Sequence, residues 1–93
     1  MKRFVWDEEK NRVLKEERGV SFEMVRQAMV DGCLLDVLEH PNKEKFGGQR
    51  LYVVEIDRYA YIVPFENKSE ERILKTIFPS RRYTRLYISR EEN

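Results

Sequence analysis

Residues 51–65, LYVVEIDRYAYIVPF, limit what this chain can fold into more than any other stretch. LYVVEI and YAYIVPF are rich in β-branched and aromatic residues, and only Asp57 and Arg58 separate them. The chain must therefore reverse within two residues and pair the two runs as a hairpin. Upstream, CLLDVLE predicts a further strand. The segment between, HPNKEKFGG, is a polar loop whose proline and paired glycines argue against regular structure. After a turn at ENKSEE, the run RILKTIF alternates, with Ile73, Lys75 and Ile77 on one face and Leu74, Thr76 and Phe78 on the other. Together these runs predict an antiparallel sheet of about four strands.

The first third of the chain has a different period. A short apolar start at Phe4 to Trp6 leads to Asp7, which can cap a helix running to about Arg18, with Gly19 supplying a left-handed exit. Val13 and Leu14 face the core in this reading, and Trp6 is a core anchor. Ser21 caps a second helix, in which Val20 and Val25 are spaced for a hydrophobic staple and Phe22, Val25, Ala28 and Met29 recur at helical spacing. Asp31 and Gly32 end it. Two N-terminal helices packed on one face of an antiparallel sheet, with residues 80–87 as a short C-terminal helix, define an α+β fold. The 93 residues make one domain.

No apolar run approaches the roughly 18 residues of a membrane span, and MKRFVWDEEK lacks the apolar stretch of a secretory signal. A single cysteine, Cys33, forms no internal disulfide and reads as a small buried hydrophobe, so a reducing cytoplasm is the expected compartment. The net charge of +1 conceals an uneven distribution, because residues 72–90 carry six cations and no acid. Such a segment attracts phosphates or an acidic protein surface, unless it pairs with Glu8, Glu9, Glu16 or Glu17 in the fold.

The basic end culminates in PSRRYTRLY, residues 79–87. A guanidinium stays protonated at ordinary pH, so Arg81 and Arg82 read as phosphate ligands rather than bases, one turned inward and one outward. Tyr83 and Tyr87 share a helical face, where Tyr87 packs and Tyr83 either packs or stacks on a base. His40 is the only histidine; it is either a proton shuttle or a loop residue making a turn hydrogen bond. Lys10 is either a base or phosphate ligand, or a solvated lysine paired with Asp7 or Glu9. One histidine and one cysteine without ligand spacing predict no metal site. Gly47 and Gly48 stand outside any phosphate-loop register, so no cofactor is expected.

FVWDEEKNRVLKEERGVSFE, residues 4–23, resembles the opening of the BrnT family of bacterial toxins, in which a WDxxK segment leads one helix and a basic residue followed by Gly-Val-x-Phe leads the next. KTIFPSRRYTRLY is similar to that family's final strand and its Ser-Ala-Arg element, with Arg81 on the family arginine and Thr84 at the matching distance. Glu17-Arg18-Gly19 stands where the family commonly has Lys-His-Gly, and the middle of the chain marks a divergent branch. The resemblance implies a RelE-like fold and a metal-independent ribonuclease toxin that cleaves RNA and is neutralised by a BrnA-like antitoxin. The site residues expected on this reading are Arg81, Lys10, Arg82 and His40 for catalysis, with Arg81 on the scissile phosphate and Arg82 and Arg85 supplying mainly long-range attraction, and Lys75, Tyr83, Thr84 and Arg85 for RNA binding. The alternative is a non-catalytic module that binds RNA or protein through the same basic end.

Overall fold

The structure, a computed structural model, describes residues 3–88. The elements run β1 (Arg3–Val5), α1 (Glu8–Arg18), α2 (Phe22–Val30), β2 (Leu34–Glu39), α3 (Lys43–Phe46), β3 (Gln49–Ile56), β4 (Tyr59–Asn67), β5 (Glu71–Leu74), β6 (Phe78–Pro79) and α4 (Arg81–Tyr87). The α+β class holds, with the sheet larger than expected: β1-β5-β4-β3-β2 in order, and β6 paired to β4 beyond β5. All pairings are antiparallel except β1 with β5 at one edge. No helix among the described residues is long and apolar enough to cross a membrane.

Both N-terminal helices are set by their caps. The Asp7 carboxylate accepts from the backbone of Glu9 and Lys10, and Gly19 leaves α1 at φ 69°. Ser21 accepts from Met24 N to start α2. Between them, buried Asn11 accepts from Phe22 N at 2.8 Å and donates to Glu23 at 2.8 Å, binding the side of α1 to the start of α2. Phe22 and Val25 are fully buried, and burial of such a side chain contributes about 1.5–3 kcal/mol. Trp6 stacks on Phe22 at 5.5 Å, the anchoring role its position suggested.

Cross-strand neighbours share a sheet face, so register assigns the two faces. Tyr52, Val54 and Ile56 of β3 and Val63 and Phe65 of β4 face α1 and α2, together with Leu74 and Ile77. Val53, Ala60 and Ile62 form a second cluster on the opposite face, with Leu35, Leu38, Leu51 and Tyr83 against it. The helices thus divide: α1 and α2 cover one face, and α4 lies on the other.

The hairpin is as expected, and three other local features depart from the sequence reading. The hairpin turn at Asp57 and Arg58 is there, with both residues left-handed at φ 53° and 65°, the geometry that follows the strand twist. The HPNKEKFGG segment is not wholly irregular, because Asn42 caps the single turn α3 by accepting from Lys45 N. RILKTIF is interrupted after Leu74: Phe65 pairs with Leu74, but Ile62 pairs with Phe78, which leaves one extra residue on the β5–β6 side. That bulge breaks the predicted alternation, so Leu74 and Ile77 both enter the helix-facing core. A second irregularity, between Leu34 and Asp36, brings Asp36 opposite Val53 and onto the face that carries α4.

Candidate nucleic-acid interface

The arginine cluster is held on the second face by a clamp around Ala60. Ser80 N donates to Ala60 O at 2.9 Å, and Thr84 Oγ1 accepts from Ala60 N at 2.8 Å. The same hydroxyl donates to Ser80 O at 2.8 Å, while Ser80 Oγ caps α4 by accepting from Tyr83 N at 3.1 Å. At the far end of the helix, the Tyr87 hydroxyl donates to Asp36 Oδ2. That bond, followed by the Val37 backbone N–H, holds the Asp36 carboxyl below its ordinary range. The same carboxylate pushes the Tyr87 hydroxyl upward, so Tyr87 stays protonated and tethers the helix.

Anchored in this way, α4 forms one wall of an open groove of about 560 Å³. Leu38, Leu51 and Ile62 make its floor, Phe78 and Tyr83 its sides, and Glu39 and Pro41 part of its rim, with Arg82 also lining it. The Arg82 guanidinium lies 5.5 Å from the centre of the Tyr83 ring, and Tyr83 stacks on Tyr87 at 6.0 Å. A flat apolar and aromatic surface beside a cation suits a nucleobase next to its phosphate.

The two adjacent arginines do not divide into one inward and one outward, because both are exposed; it is Arg82, not the expected Arg81, that lines the groove. Arg85 is exposed one helical turn after Arg81. Lys75 bonds Glu66 at 3.3 Å, and Glu66 pairs with Ile73 and Gln49 on the α4 side of the sheet. Thr84, expected to contact RNA, is instead buried, with its hydroxyl engaged in the Ala60 clamp; it positions α4. Lys10 is exposed on α1, and α1 packs on the opposite face of the sheet from α4. His40 follows β2 beside the rim residues Glu39 and Pro41, but its Nδ1 accepts from Asn42 N at 3.1 Å and its ring lies 4.5 Å from Phe46. The fold therefore brings Arg82 and Tyr83 together at the groove and leaves Lys10 outside it.

Ser80, Ala60, Asp36 and the apolar floor are the parts the sequence reading did not single out. A serine immediately before a basic helical run is a cap signal for α4. Nothing local marks Ala60 or Asp36, whose roles arise from pairing across the sheet. No family model, no curated protein and no solved structure matches this chain.

Proposed function

We propose that this chain is a RelE-like, metal-independent endoribonuclease, the toxin of a toxin–antitoxin pair. The observation that carries the reading is Arg82 beside Tyr83 at an apolar groove, on a helix that presents Arg81 and Arg85 to solvent and contains no acid. The likeness of both chain ends to the BrnT toxins supports it independently.

In this reading a base of single-stranded RNA lies against Tyr83 and Phe78, and Arg82 grips the adjoining phosphate. Arg81 meets the same or the next phosphate. The 2′-OH attacks phosphorus and gives its proton to water, and the P–O5′ bond breaks to leave a 2′,3′-cyclic phosphate and a 5′-OH protonated by water. As the attack proceeds, negative charge grows on the phosphorane oxygens, and a positioned guanidinium stabilises that charge more than the ground state. Glu39 touches the rim, but it is the cross-strand partner of Arg50 on the other face, and its carboxylate, held below the ordinary range by Lys43, is already bonded to that lysine, so it is not assigned as a base. Catalysis then rests chiefly on positioning and charge stabilisation. Exposed Phe78 and Leu86 flank the arginines, and an acidic amphipathic antitoxin helix would cover this surface.

One observation favours a second reading, a module that binds RNA or protein without cleaving it. Lys10 lies across the sheet from α4, and His40 already bonds Asn42, so neither stands ready in the groove to move a proton. The deciding experiment is expression of the chain alone, together with incubation of the purified protein with RNA, with and without ribosomes. Growth arrest and RNA cleavage are expected, with arrest relieved by the product of a small adjacent gene. Harmless expression with intact RNA in both incubations would leave the binding module.

A further inference from the structure

On the helix-bearing face, away from α4, a separate pocket of about 160 Å³ opens at the end of the sheet that α1 and α2 leave uncovered. That volume equals about five waters at roughly 30 Å³ each, enough for one small anion. Arg50, Tyr52 and Arg72 line it, with Val37 and Phe65 among its apolar walls. Arg72 Nη1 donates to the Tyr52 hydroxyl at 2.7 Å. Because that oxygen accepts from Arg72, its own proton is left to donate. Arg72 Nε is shut off from solvent and has no hydrogen-bond acceptor among the described residues, leaving the guanidinium short of partners.

The charges around the pocket are unbalanced in the same sense. Among the described residues neither Arg50 nor Arg72 is ion-paired, whereas Arg3 pairs with Glu71 and Arg12 with Glu9 and Glu16. Glu39, the cross-strand partner of Arg50, feels its charge without forming an ion pair and bonds Lys43. Arg50 is exposed and Arg72 half-buried, so an anion in the pocket meets two cations, one of them partly shielded from water.

We infer that Arg50, Tyr52 and Arg72 form a binding site for a phosphate monoester dianion or free phosphate, distinct from the groove beside α4. Three separate donor groups match the three terminal oxygens of a monoester, whereas a phosphodiester presents two non-bridging oxygens and a carboxylate two in all. The site is on the opposite face of the sheet from α4 and does not depend on the ribonuclease reading.

The test is a titration of the intact, isotope-labelled chain followed by amide NMR shifts at constant ionic strength. Inorganic phosphate is expected to give saturable shifts at Arg50, Tyr52 and Arg72. A nucleoside 5′-monophosphate binding there more tightly than phosphate identifies a nucleotide as the source, and equal affinities identify the free ion. Dimethyl phosphate and acetate should bind about tenfold or more weakly, the worth of one hydrogen bond to a charged group. Arg50→Gln, at an exposed position, and Tyr52→Phe, which keeps the ring, should each weaken phosphate binding by a similar factor. Arg26→Gln removes one cation elsewhere and should leave it unchanged. Shifts confined to α4, equal binding of acetate, or equal weakening by Arg26→Gln would overturn the site.

Discussion

Replacing Thr84 by valine separates a structural clamp from an RNA ligand. Valine has the shape of threonine and is more apolar, so at a buried position without polar duties it would be neutral or stabilising. Here the hydroxyl accepts from Ala60 N, and Ala60 is fully buried, so valine leaves that N–H without a partner. Ser80 O loses the Thr84 hydroxyl but keeps the α4 backbone bond from Thr84 N at 3.0 Å, so only one group is orphaned. The expected loss is therefore that of one unsatisfied buried donor, about 1–3 kcal/mol. In a domain of this size each kcal/mol moves Tm by roughly 4–8 °C. Thr84→Ser keeps the hydroxyl and loses one methyl, at about 0.8 kcal/mol. Urea unfolding followed by circular dichroism should order the three proteins as wild type, Thr84→Ser, Thr84→Val, with unchanged m values. A Thr84→Val protein at least as stable as wild type would refute the clamp.

Other perturbations follow from the same geometry. Asn11→Ala should destabilise by about 1–3 kcal/mol in the same assay, because Phe22 N is left unpartnered in the core. Arg58→Gly should raise stability by about 0.5–1 kcal/mol, since a left-handed non-glycine residue costs roughly 1–2 and glycine's extra chain entropy returns part of that. Tyr87→Phe should flatten both ends of the stability–pH profile. The depressed Asp36 adds stability that is present above its ordinary 3.8 and lost as pH falls through the lower folded value. The raised Tyr87 adds stability that is present below its ordinary 10.0 and lost as pH climbs through the higher folded value. A profile unchanged below pH 4 and above pH 10 would show that the Tyr87–Asp36 bond is not formed in solution.

The parts of the fold written in local chemistry were legible from sequence. Asp7, Ser21 and Gly19 mark the helix ends with their own hydrogen bonds or backbone angles. Asp57 and Arg58 mark the hairpin because nothing longer fits between the two β-rich runs. What depended on distant pairing was not legible. The three residues of β1 become a strand only by lying alongside β5, and the extra residue after Leu74 is defined only against β4. The site divides in the same way. PSRRYTRLY was visible as a cationic, aromatic cluster on a short helix, but which arginine lines the groove follows from the Ser80 and Thr84 bonds to Ala60. Nor does helical periodicity say which sheet face a helix will cover, so the separation of Lys10 from α4 was hidden.

The most direct test compares RNA cleavage by Arg82→Ala and Arg85→Ala under single-turnover conditions, with folding and RNA binding of each checked in parallel. Arg82 lines the groove and is assigned to the developing phosphorane charge, so its loss should slow cleavage about 100- to 1000-fold while the protein stays folded and still binds RNA. Arg85 is exposed and contributes long-range attraction, so its loss should leave cleavage near normal at low salt and reduce the salt dependence of binding by about one phosphate contact. Equal loss in both variants, or no cleavage by the unmodified protein with or without ribosomes, would contradict a catalytic centre beside α4.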